Sequence, residues 1–173
     1  MNKRILYLCL AGFFALTVLY ADEPATNINP ARHPNLAKAQ TLINQAYDSI
    51  ITAQKANEFD LGGHAVKAKG LLEQSSKELK LAAVEANKDT EGKPAGKAEE
   101  RAAAEEKPAT NISETRHPNL AKAQQLVDTA HTKILDAQKA NDFDLKGHAA
   151  KAKDLLEQAS SELKLAAQEA NKQ

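Results

Sequence analysis

Two Asp-x-x-x-His spacings are the part of this 173-residue chain that could most readily do chemistry. His64 follows Asp60 by four residues, and His148 follows Asp144 by four. Residues four apart lie on one face of a helix, so each imidazole would face the same way as its carboxylate. Divalent Cu, Ni and Zn accept both ligand types. The spacing therefore predicts two candidate metal-binding pairs.

A structural interpretation of the same residues stays open. Asp60 and Asp144 stand where they could cap the helix that follows, and His64 and His148 would then rest on the flank of a helix seam. A two-ligand pair is also short of the three or four ligands that a tight zinc site uses. The sequence is compatible with metal binding and with helix capping.

The other three histidines indicate structural roles. His33 and His117 precede the prolines that start two predicted helices, beside the C-termini of the second helices, where a cation interacts favourably with the helix dipole. His131 is matched by Tyr47 in the duplicated sequence, so it belongs to no shared site. Its nearest carboxylate on a helical face is Asp128, three residues earlier.

The chain contains a tandem duplication. Residues 24–88 recur 84 positions later as residues 108–172, with 46 of the 65 aligned positions identical. The segment 32–40 returns unchanged as 116–124. One structural unit was therefore used twice, and a functional site is expected in both copies.

Each copy contains two helical patterns around a short interruption. Apolar residues recur at steps of three and four along both patterns, as in the seam of a coiled coil, and alternating large residues with alanine lets two backbones approach closely. In the first copy the seam residues are Leu36, Ala39, Ile43, Ala46, Ile50 and Ala53, then Leu61, Ala65, Ala68, Leu72, Ser75, Leu79, Ala82 and Ala86. In the second copy they are Leu120, Ala123, Val127, Ala130, Ile134 and Ala137, then Leu145, Ala149, Ala152, Leu156, Ala159, Leu163, Ala166 and Ala170.

These patterns predict an all-α fold of two tandem antiparallel helical hairpins. Pro34 and Pro118 suit the first turn of a helix, and the short interruptions make the helices of each copy antiparallel neighbours. A lone hairpin would be marginally stable, which favours an up-down-up-down four-helix bundle with both Asp-x-x-x-His pairs at the same end. Two separate hairpins on a tether are the alternative.

The remaining segments differ in composition. Residues 1–21 have the charged start, apolar run and terminal alanine of a secretory signal peptide, with an uncleaved anchor as the alternative. Residues 22–32 are expected to be an extended N-terminal segment, 33–88 and 108–173 the two hairpin repeats, and 89–107 a charged Ala/Glu/Lys linker. The protein is thus expected to be periplasmic or secreted, with no membrane attachment after signal cleavage.

Composition after residue 21 argues against several function classes. The single cysteine is Cys9, so that part of the chain has no disulfide and no thiolate metal site. Without Lys3 and Arg4, 21 basic side chains face 23 acidic ones, a near-neutral mixture that argues against nucleic acid or an anionic membrane as partner. Neither copy has a cysteine nucleophile, a phosphate-binding loop or a catalytic triad, so the sequence predicts a protein that is not an enzyme.

The motif Gly-His-Ala-x-Lys-Ala-Lys-x-Leu-Leu-Glu-Gln occupies residues 63–74 and recurs at 147–158. It resembles the helical heptads of the small metal-binding protein family. Members of that family are small periplasmic bacterial proteins, built as four-helix bundles, that take up divalent or copper ions through many surface histidines. The resemblance implies a four-helix bundle with His64 and His148 as metal ligands. This chain has five histidines in all, whereas the family places one in almost every heptad.

Two hypotheses follow. The first is a non-enzymatic exported bundle that binds divalent Cu, Ni or Zn weakly through Asp60 with His64 and Asp144 with His148. The second is a structural or protein-interaction module in which the Ala/Leu seams pair with a helical partner or a second copy, without metal.

Overall fold

The computed structural model describes residues 23–56, 61–90, 111–140 and 145–172. Four long helices account for most of them: α1 (Pro34–Ala56), α2 (His64–Thr90), α3 (Pro118–Ala140) and α4 (His148–Ala170). The helices share one hydrophobic core, so the predicted all-α four-helix bundle is confirmed. The predicted signal peptide at 1–21 and most of the predicted linker at 89–107 lie outside the described residues. Within the described ranges, no helix has the length and apolarity needed to cross a membrane.

The predicted seams form the core. Every seam residue of both copies is buried except Ala170, which is partly buried against the same cluster. Removing a leucine side chain from water contributes about 1.5–3 kcal/mol, so these rows supply most of the drive to pack. The alanines let the helices come close enough for Ser75 Oγ of α2 to donate a hydrogen bond to the backbone carbonyl of Ala152 in α4, at 3.0 Å.

The closest helix packing is between hairpins and not within them. α1 lies closest along α3, and α2 lies closest along α4, whereas the two helices of one hairpin are more widely spaced. The small residues of the seams therefore serve mainly to bring the two copies together. Neither hairpin completes its core without the other.

The two hairpins pack head to tail. His64, at the start of α2, contacts Glu162 in the second half of α4, and His148, at the start of α4, contacts Glu78 of α2. Helices α2 and α4 are therefore antiparallel, and so are α1 and α3, because each hairpin is itself antiparallel. Each contact recurs with the copies exchanged, which is an approximate two-fold symmetry.

The helix directions are consequently up-down-down-up, which differs from the predicted up-down-up-down order. That prediction assumed that the second hairpin begins at the end of the bundle where the first one stops. Two hairpins of nearly the same sequence instead present nearly identical faces, and identical faces pair best about a two-fold axis. The 20 residues between Thr90 and Asn111 are long enough to permit this arrangement.

Each hairpin contains a left-handed turn just before its second helix. The φ angles are 50°, 65° and 76° in Leu61–Gly63, and 47°, 49° and 78° in Leu145–Gly147. Glycine adopts such angles freely, whereas each non-glycine residue there costs about 1–2 kcal/mol. Leu61 and Leu145 offset this cost because their side chains are 0% and 1% exposed in the core.

These turns shift the start of the second helices. The helices begin at His64 and His148, about one turn later than the sequence pattern predicts. The N-cap of α4 is Gly147, which makes no side-chain capping hydrogen bond. Asp60 and Asp144, which the sequence predicts as capping residues, lie outside the described residues, so their capping role remains a prediction.

Candidate functional site

Two His–Glu pairs join α2 to α4 and are the candidate site. His64 Nδ1 lies 2.6 Å from Glu162 Oε2, and His148 Nδ1 lies 2.7 Å from Glu78 Oε2. Their side chains are partly exposed, at 20% for His64 and 28% for His148. Each pair links one hairpin to the other, and the approximate two-fold axis relates the two pairs.

The carboxylates that meet the histidines are not those that the sequence spacing predicts. Asp60 and Asp144 lie outside the described residues. The three residues directly before each histidine, 61–63 and 145–147, form left-handed turns and not α-helix. The predicted pairing with the two aspartates remains a prediction, while Glu162 and Glu78 are the observed partners.

The two His–Glu pairs are far apart. His148 contacts Glu78, which lies 14 residues after His64 along α2. At ~1.5 Å per residue this separates the pairs by about 21 Å, so they do not share one ion. Among the residues that the structure describes, no group of three or more His, Cys, Asp or Glu side chains could hold a metal ion together.

The pair at His148 carries an additional cation. Lys151 Nζ lies 2.6 Å from the second oxygen of Glu78. Burial raises the pKa of the Glu78 carboxyl, but hydrogen bonds from Lys151 and His148 outweigh burial and leave that pKa below its ordinary value of 4.5. In the described residues, Glu162 pairs with His64 alone. The two otherwise equivalent sites therefore differ in their ion pairs, since the counterpart of Lys151 is Lys67, which makes no such contact to Glu162 in the described residues.

A second carboxylate strengthens the contact between hairpins. Lys146, in the turn before α4, lies 2.5 Å from Glu85 of α2, and Lys88 lies 2.7 Å from the other oxygen of the same carboxylate. Hydrogen bonds from these two lysines lower the pKa of Glu85 from 4.5 to about 2. Gly62 is the counterpart of Lys146, so this ion pair is made at one end of the bundle only.

We expect the stability of the bundle to fall as the pH drops from 4.5 to about 2. The lowered pKa values of Glu78 and Glu85 mean that the folded state holds these carboxylates ionised more strongly than the unfolded state does. Their stabilisation is present above pH 4.5 and is lost as the pH falls through the folded pKa values. Thermal melts followed by circular dichroism at a series of pH values measure this.

The matched control is Glu85→Gln. Because glutamine does not ionise in this range, the melting temperature of Glu85→Gln should depend less steeply on pH between 4.5 and 2 than that of the parent. Identical slopes for the two proteins would show that the lysine contacts of Glu85 contribute nothing.

His33 and His117 hold the open ends of the hairpins. Nε2 of His33 lies 3.1 Å from Asn87 Oδ1, and Nε2 of His117 lies 3.1 Å from Asn171 Oδ1. Their predicted position beside the C-termini of the second helices is therefore confirmed. Each of these contacts links the start of one helix to the end of the next within a hairpin, which is a structural role.

His131 occupies the core. Its side chain is fully buried, and Nε2 lies 3.5 Å from Glu157 Oε1 of α4. Its counterpart Tyr47 is also buried, with the amine of Lys69 5.6 Å above the ring centroid. The same position thus holds an imidazole beside an anion in one copy and a phenol ring beneath a cation in the other.

Sequence reasoning missed a buried glutamine that is present in both copies. Gln40 Oε1 accepts hydrogen bonds from the backbone N–H groups of Asn27 (2.7 Å) and Ile28 (3.1 Å), while Nε2 donates to Ser76 Oγ at 3.0 Å. Gln124 makes the matching contacts with Asn111, Ile112 and Ser160. This glutamine fastens the segment before each hairpin onto the bundle. Its place in the unchanged nine-residue stretch was the available signal.

Comparison with protein-family models, with curated protein sequences and with solved structures finds no match.

Proposed function

We propose that this protein is a non-enzymatic, exported helical bundle that binds divalent Cu, Ni or Zn weakly at two separate sites, one at His64 and one at His148. The supporting observation is that Nδ1 of each histidine contacts a carboxylate of the facing helix. Metal-binding histidines commonly donate their second ring N–H to a carboxylate, which orients the ring and makes the ligating nitrogen more basic.

The remaining nitrogen is available for a metal. Among the described residues, neither His64 nor His148 uses Nε2 in a hydrogen bond, and both rings are partly exposed. A divalent ion would take Nε2 as its protein nitrogen ligand and complete its shell with water, together with the predicted ligands Asp60 and Asp144. Few protein ligands imply weak binding, since tight sites use three or four.

The spacing of about 21 Å between the sites implies independent binding. We expect two ions per chain and no cooperativity. The site at His64 should bind more tightly, because Lys151 contacts Glu78 and offsets its negative charge, whereas in the described residues Glu162 pairs with His64 alone.

Calorimetric titration with Ni²⁺ tests the proposal. The parent protein should bind two ions, His64→Gln and His148→Gln should each bind one, and the double variant should show no heat above that of dilution. Glu162→Gln should weaken binding at His64 by about 10-fold or more, because the orienting carboxylate is lost.

His117→Gln is the matched control, since it removes a histidine that lies in an exposed part of the bundle and contacts Asn171. It should leave both sites intact. Binding that is unchanged in the double variant His64→Gln/His148→Gln, or that is lost in His117→Gln, would contradict the proposal.

A further inference from the structure

The surface that each hairpin presents to the other is nearly the same in both copies. Each hairpin contributes one histidine and one glutamate to the two His–Glu pairs, and these residues are identical in the two copies: His64 and His148, Glu78 and Glu162. The apolar rows that meet between the hairpins are also shared. Such a surface is self-complementary, because either hairpin offers what the other one requires.

A separated hairpin would expose much of its core. The closest packing of α1 is with α3 and that of α2 is with α4, so both helices of a hairpin depend on the other hairpin. The rows exposed by separation include Leu72 and Leu156, which are 0% exposed in the bundle. A hairpin that loses its partner therefore has a strong drive to find an equivalent one.

The connection between the hairpins joins opposite ends of the bundle. Helix α2 ends at Thr90, next to the second turn, as the Lys146 contact to Glu85 shows. Helix α3 starts beside the end of α4, as the contact of His117 to Asn171 shows. That end of α4 lies at the first turn, because a Cβ added to Gly62 would come within 2.8 Å of Glu169 Cγ.

This arrangement sets the shortest connection that one chain can use. The 27 residues of α2 are about 40 Å long. Asn111 is held by Gln124, six residues into α3, so it lies about 9 Å in from that end and about 30 Å from Thr90 along the bundle. Residues 91–110 can reach about 70 Å when fully extended, which spans this gap with much to spare.

We propose that the interface between the hairpins also recognises a second copy of this chain: when the connection is too short to close the bundle within one chain, two chains exchange hairpins and form a dimer of two bundles. The first hairpin (α1 and α2) of each chain then packs on the second hairpin (α3 and α4) of its partner through the same His–Glu pairs and the same seams. The monomer and the exchanged dimer differ only in the path of residues 91–110. The length of this connection therefore decides between them, independently of metal binding.

Shortening the connection tests the proposal on the whole chain. A variant that keeps four of residues 91–110 has a reach of about 17 Å between Thr90 and Asn111, which is less than the gap of about 30 Å. Its two hairpins cannot form this bundle within one chain. We expect a dimer of twice the parent mass by sedimentation equilibrium, with the helical circular-dichroism signal per residue of the parent.

A second variant distinguishes the effect of the connection's length from the effect of its amino-acid sequence. It replaces residues 91–110 with 20 residues of glycine and serine, and we expect it to be a monomer at micromolar concentration, like the parent. Adding Leu72→Asp and Leu156→Asp to the shortened variant should abolish the dimer, because each hairpin then carries a carboxylate in the apolar row that packs on the other hairpin. A shortened variant that remains a helical monomer, or that is an unfolded single chain, would overturn the proposal.

Discussion

Leu156→Ala is expected to lower the free energy of unfolding by about 2–5 kcal/mol. Leu156 is 0% exposed in the middle of α4 and belongs to the row that packs on the other hairpin. Truncation removes buried apolar surface and leaves a cavity, and the close backbone spacing of α2 and α4 limits how far the helices can collapse into it. Urea denaturation followed by circular dichroism measures the change.

Leu165→Ala is the matched control on the same helix. Leu165 is 39% exposed, so its truncation should change the unfolding free energy by less than about 0.5 kcal/mol. Equal losses from the two variants would mean that Leu156 does not lie in a packed seam, and the assigned helix faces would have to be abandoned.

Ala152→Leu is expected to destabilise the bundle by about 1–3 kcal/mol, although it adds apolar surface. The carbonyl of Ala152 accepts a hydrogen bond from Ser75 Oγ of α2, so the two helices are nearly in backbone contact at this level. A leucine side chain there forces α2 and α4 apart along their length. The hydrogen bond from Ser75 is then lost and the neighbouring seam is loosened.

Ala150→Val provides the comparison for Ala152→Leu. Ala150 is partly exposed, and its counterpart in the first copy is already a valine, Val66, which is 46% exposed. Added bulk at this position should leave stability within about 0.5 kcal/mol of the parent. A stable Ala152→Leu variant would show that alanine is not required for the close approach of the two hairpins.

The helices and their buried faces could be predicted from the sequence because they depend on local spacing. The steps of three and four that include Leu36, Ile43 and Ile50 define one face of α1 whatever that face meets. Duplication strengthened the inference, since the same steps recur from Leu120 to Ile134. For this reason the buried seams and the all-α fold class could be predicted from the sequence.

The relative direction of the two hairpins could not be predicted from the sequence in the same way. Both possible orders bury the same rows, so hydrophobic periodicity does not distinguish them. The choice depends on how two nearly identical faces fit, and on a connection long enough to allow the two-fold arrangement. The partners of His64 and His148 follow from that choice, which explains why Glu162 and Glu78 were not predicted.

The start of the second helices was mispredicted for a different reason. Leu61 and Leu145 continue the seam spacing, so they read as helical, yet both have positive φ angles. Their buried side chains outweigh the backbone cost, and tertiary packing overrides local propensity here. The glycine pair at Gly62 and Gly63 was the local sign of a left-handed turn. The second copy lacks this pair, because Lys146 takes the place of the first glycine.

The head-to-tail packing of the hairpins is tested most directly by one distance. Lys55 and Lys139 are exposed in the last turns of α1 and α3, next to the two hairpin turns, and the sole native cysteine is Cys9, which a serine can replace. Spin labels on cysteines at these two positions should be about 35 Å apart. The second turn lies beside Glu85 of α2, because Lys146 contacts Glu85, whereas the first turn contains Gly62. Glu85 follows Gly62 by 23 residues, and 23 residues of helix span about 35 Å. A pulsed electron paramagnetic resonance measurement that finds about 35 Å supports the two-fold bundle. A distance below about 20 Å would place both turns at one end and contradict it.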